Sequence, residues 1–105
     1  TLSMAQGHGA WKTAPVTGWT EQVKRFHTGL RVLDDFLASD TPLGYPIEKL
    51  FQGPIADALT HVGQINMLRR MAGDPVRGES YNRADIVPGR VGNDQTPPEP
   101  RFEFD

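Results

Sequence analysis

The chain contains no cysteine, which excludes disulfides, thiolate nucleophiles and cysteine-rich zinc sites together. Apolar residues make up 37% of the sequence, and no run approaches the roughly 20 residues needed to span a bilayer. No membrane partner is therefore expected. Eleven basic residues against thirteen acidic ones give a formal net charge of −2. That balance leaves no basic footprint for nucleic acid, and nucleic-acid binding is not expected either. Ser3, Ser39 and Ser80 lack the G-x-S-x-G setting of a hydrolase nucleophile, and the glycines form neither a phosphate loop nor a dinucleotide fingerprint. No signal-peptide pattern is visible, so a cytoplasmic setting is expected.

The 105 residues suit a single domain with three parts: an arm (1–16), a helical core (17–73) and an extended tail (74–105). The arm holds Gly7, Gly9 and Pro15 and has no sustained period, with Trp11 as its expected anchor. Thr17 reads as the N-cap of a helix running to about Ser39. Its Trp19, Val23, Phe26, Leu30, Leu33 and Leu37 recur every three or four residues. Asp40-Thr-Pro-Leu-Gly stops that helix. Pro46–Gln52 reads as a short helical turn before Gly53.

A second long helix is expected from Pro54 to about Ala72. Pro54 is read at its first position, where a missing N–H costs nothing. Arg69 and Arg70 suit the negative end of the dipole, and Gly73 supplies a left-handed stop. Ile55, Leu59, Val62, Leu68 and Met71 are read as its apolar band. Beyond Gly73, Pro75, Gly78, Pro88, Gly89, Gly92 and Pro97-Pro98 break any long element, so the tail is expected to be extended, packed in places and frayed at its end. Two long helices cannot enclose a core alone. The chain is expected to self-associate, or to be joined by helices upstream of Thr1.

Asp57, His61 and Gln64 follow one another at i, i+4 and i+7, so their side chains share one face of this helix. An imidazole one turn from a carboxylate is the geometry of helical metal motifs. His61 and Asp57 are thus the candidate ligands for a divalent metal, zinc or nickel, with Gln64 as the hydrogen-bond partner that orients the imidazole. The competing reading has Asp57 serving the helix dipole and His61 bonding a carbonyl. His27, beside Phe26, and His8, between two glycines, read as ordinary surface histidines. The polar run Arg77–Asp85 is expected to pair within itself and with nearby backbone.

The segment Asp57-Ala-Leu-Thr-His-Val-Gly-Gln-Ile, continuing through Leu68-Arg-Arg-Met-Ala-Gly73, resembles the last helix of the DinB-like superfamily. His61, Gly63, Gln64, Ile65, Leu68, Arg69 and Gly73 match its pattern of a histidine before a Gly-Gln-Ile step, then Leu-Arg and a terminal glycine. The run RGESYNRADIVPGRVG resembles the C-terminal extension of a DinB-like subgroup. The resemblance implies an all-α, four-helix up-down bundle, usually dimeric, with a divalent metal held by three histidines near one end. His61 matches the last of these, and Asp57 stands where its H-x-x-x-H partner is expected. The helices over 17–39 and 54–72 would then be the last two of the four. Two functions follow as expectations. One is a metal-dependent thiol transferase or hydrolase-like enzyme acting on a small-molecule thiol or electrophile. The other is a non-catalytic helical module acting through dimerisation or partner binding.

Overall fold

Helical structure dominates the chain, as the periodicity predicts. The computed structural model describes residues 1–9 and 13–104, in the order α1 (Leu2–Ala5), α2 (Trp19–Leu37), α3 (Ile47–Leu50), α4 (Ala56–Met71), β1 (Gly78–Glu79) and β2 (Glu103–Phe104). No helix among the described residues is long and apolar enough to cross a membrane.

The six-residue apolar stripe of α2 repeats at helical spacing, so the helix forms one greasy face. Thr17 is not its cap. Gly18 occupies that position, and Thr17 Oγ1 instead accepts a bond from Gln22 Nε2 at 3.0 Å. At the other end Ser39 Oγ donates to the Phe36 carbonyl at 2.7 Å and accepts from the Thr41 N–H, which turns the chain out of the helix.

Pro54 does not begin the second long helix. Phe51–Ile55 forms a turn of π-helix that joins α3 to α4, with the Ala56 N–H bonded to the Phe51 carbonyl. The wider turn tolerates a residue that cannot donate, so helical backbone runs from Ile47 to Met71 without a break. It ends as expected. Gly73 has φ +80°, its N–H bonds the Arg70 carbonyl at 3.1 Å, and the Asp74 N–H bonds the Arg69 carbonyl at 3.0 Å. These two bonds are the Schellman pattern, and the Arg69 guanidinium reinforces them by holding both the carbonyl and the carboxylate of Asp74.

The arm contains a helix where only a loop was expected. One turn, α1, packs against α2, and its Ala5 carbonyl accepts the Gly44 N–H at 2.7 Å. Gly44 lies so close to Gly7 that a Cβ there would overlap the Gly7 backbone nitrogen and Cα. The expected anchor, Trp11, lies outside the described residues.

The tail returns to the body. β2 pairs antiparallel with β1, in the register Gly78↔Phe104 and Glu79↔Glu103, after one turn of 3₁₀ helix at Pro100–Phe102. The end of the tail is thus paired rather than frayed through Phe104. The Phe104 ring lies over Gly78, leaving no room for a side chain there. A second attachment lies on α2, where Arg31 donates to the carbonyls of Gly89 (3.0 Å) and Val91 (3.1 Å).

Among the described residues only Ala5 and Leu50 are fully buried. The radius of gyration, 15.7 Å, exceeds the about 13 Å expected for a compact chain of this length. The accessible surface of 8711 Å² exceeds the about 5,800 Å² expected by about half. α2 packs against α1 and makes no extended contact with α4.

The apolar residues of α4 do not form the single band read from spacing. Leu59, Val62, Ile65 and Leu68 are three residues apart, and each such step precesses by about 60° around the axis. Met67 and Met71 fill most of the remaining arc. Polar side chains share that circumference, Asp57, His61 and Gln64 on one face and Asn66, Arg69 and Arg70 elsewhere, and the apolar ones stay open to solvent: Leu59 is 61% exposed and Met71 78%.

Candidate functional site

Asp57 enters α4 in its first turn and His61 follows one turn later, so both project from the same side. His61 Nε2 lies 3.5 Å from Asp57 Oδ2, with both side chains well exposed. On the opposite edge of the ring, His61 Nδ1 lies 3.0 Å from Gln64 Oε1. Nδ1 is thus the ring nitrogen that faces Gln64, and Nε2 the one that faces the Asp57 carboxylate.

Nε2 and Oδ2 stand close enough either to contact directly or to share one cation. The spacing fits a metal. Ligands about 2.1 Å from a tetrahedral zinc stand about 3.4 Å apart, close to the 3.5 Å seen here. The donor set, one imidazole nitrogen and one carboxylate oxygen, suits zinc or nickel. It would supply two of the four donors that a tetrahedral ion needs. Among the described residues no group of three or more His, Cys, Asp or Glu side chains comes together.

The other residues singled out in the sequence lie elsewhere. His27 is half-buried on α2, its ring edge-on to Phe26 at 5.5 Å. His8 sits exposed after α1, its backbone N–H bonded to Ser3. The polar run Arg77–Asp85 finds side-chain partners in the tail rather than only within itself. Arg77 Nη1 lies 3.5 Å from Glu103 Oε2, and the Arg83 guanidinium lies 5.4 Å from the centre of the Phe102 ring. The Ser80 N–H bonds the Phe102 carbonyl. Arg77, Ser80 and Arg83 thus tie β1 and the turn after it to the returning tail.

A cleft of about 350 Å³ opens at the far end of α4, lined by Asn66, Met67, Arg70, Val76, Gly78 and Phe104 among others. It includes none of the candidate ligands. Sequence reasoning missed the Arg31 clamp, because nothing in the order of residues ties a helix arginine to carbonyls about 60 positions away. The positive φ of Gly89 and Gly92 marks the turn that brings those carbonyls to it. Comparison of the chain with family models, curated proteins and solved structures returns no match to any of them.

Proposed function

We propose that this chain is the His61-bearing part of a DinB-like helical bundle and that it holds a divalent metal, zinc or nickel, at the Asp57–His61 pair. The activity proposed is thiol transfer or a hydrolase-like reaction on a small-molecule thiol or electrophile. The observation that carries the reading is the convergence of Nε2 and Oδ2 at 3.5 Å, with Gln64 on the remaining ring nitrogen. A bound divalent ion would supply Lewis acidity, making a thiol or water nucleophilic at neutral pH.

The protein's own part in that chemistry is positional. His61 and Asp57 present two donors at a spacing suited to one ion. Gln64, at the other ring nitrogen, would orient the imidazole, the role such partners play at metal-ligating histidines. Leu68 lies on the same face two turns on, and once α4 is covered it would keep bulk water from the pair. The test is metal uptake measured by equilibrium dialysis. Stoichiometric zinc lost in His61→Ala and Asp57→Ala, and weakened about 10–100-fold in Gln64→Ala, supports the reading. A wild-type chain that takes up no zinc or nickel refutes it.

One observation favours a second reading. The exposed apolar residues on every side of α4 suit a non-catalytic helical module that works by dimerisation or partner binding. Retained self-association or partner binding without metal uptake would select that module.

A further inference from the structure

We propose that the cleft between the last turns of α4 and the β1–β2 pair binds a small monocarboxylate with an apolar body, its carboxylate held by Arg70. The cleft is separate from the Asp57–His61 pair, since Arg70 lies about 14 Å along the helix from His61. The inference therefore stands apart from the metal reading and gives the chain a second ligand class.

The lining of the cleft decides that class. Asn66 and Arg70 are one turn apart on α4, which brings both to the same wall. Met67, Val76 and Phe104 supply apolar walls, and Gly78 adds backbone without a side chain. The far wall is fixed from behind. Gly78 pairs with Phe104 across the strands, the Phe104 ring lies over Gly78, and Arg77 lies 3.5 Å from Glu103.

An arginine in water is ordinary, and what marks Arg70 is its setting. Among the described residues its guanidinium has no hydrogen-bond or ion-pair partner, and no carboxylate lines the cleft. Its neighbour Arg69, by contrast, is satisfied by the carbonyl and carboxylate of Asp74. A guanidinium carries only donors, so the ligand must bring the acceptors, and a carboxylate matches the fork with two parallel bonds. The apolar walls reward a hydrocarbon body over a second charge. A volume of about 350 Å³ is at the small end for ligand sites and suits a body of about eight carbons.

Phenylpropionate has such a body, and phenylpropanol is its neutral twin. In an amide NMR titration of the full chain, phenylpropionate should give saturable shifts centred on Val76, Gly78 and Phe104. Phenylpropanol should bind there about tenfold more weakly. Arg70→Gln, with its helicity checked by circular dichroism, should weaken phenylpropionate about tenfold and leave phenylpropanol unchanged. Met67→Ala should weaken both, because it removes wall and not charge. Equal binding of the two compounds by the wild-type chain overturns the proposal, as does unchanged phenylpropionate affinity in Arg70→Gln. The absence of saturable shifts, or shifts spread along the apolar stripe of α2 instead of the cleft, overturns it too. Phenylpropionate bound at the cleft of a chain that takes up no zinc supports this inference while removing the metal site.

Discussion

Replacing Leu59 by alanine measures how much of α4 is enclosed in solution. In the single chain Leu59 is 61% exposed, so roughly two-fifths of its surface is covered. Truncating a leucine in a packed core costs about 2–5 kcal/mol, from lost transfer energy and the cavity left behind. At two-fifths coverage, with no closed cavity to leave, the expected cost is about 1 kcal/mol. Enclosure of α4 by a partner would cover the remainder and raise the cost to about 3 kcal/mol. Leu50, only 3% exposed within a single chain, provides the internal reference. Leu50→Ala should cost about 2–5 kcal/mol whether or not the chains associate. Urea denaturation followed by helical circular dichroism, at dilute and concentrated protein, reads both variants. A Leu59→Ala penalty that grows by about 2 kcal/mol with concentration supports enclosure of α4. A penalty that stays near 1 kcal/mol at both concentrations refutes it.

Three local perturbations test other parts of the fold. Gly44→Ala should break the bond to the Ala5 carbonyl, because the backbone of Gly7 cannot yield to the new methyl. Its cost is about 2–4 kcal/mol, read as faster hydrogen exchange at Gly44 and along α1. Arg31→Ala should free the turn at Gly89–Val91 at a cost of about 1–2 kcal/mol, seen as new proteolytic cleavage there while α2 keeps its helicity. Gly73→Ala should lower stability by about 1 kcal/mol, since φ +80° disfavours a Cβ, and should be read as a fall in Tm.

Much of the helical framework was legible because it is encoded locally. The stripe from Trp19 to Leu37 and the Arg-Arg-Met-Ala-Gly ending of α4 act within a few turns of chain, and both helices form where those signals stand. The grouping of Asp57, His61 and Gln64 was legible for the same reason, since 3.6 residues per turn brings i, i+4 and i+7 together whatever surrounds the helix. Pro54 misled because a proline usually starts or breaks a helix. Only the i→i+5 turn at Phe51–Ile55 lets helical backbone pass through it. The pairing of Gly78 with Phe104 and the Arg31 clamp were illegible, because contacts across 26 and about 60 positions carry no periodic signal. The apolar distribution on α4 was readable but misread. A repeat of three looks like a stripe and in fact winds around the axis.

The most direct test of the functional account is a zinc titration of the wild-type chain and of His61→Ala, followed by calorimetry, with circular dichroism confirming that α4 remains helical in both. The account predicts stoichiometric binding to the wild-type chain and its loss in His61→Ala. An unbound wild-type chain, or equal binding by the folded variant, would contradict it.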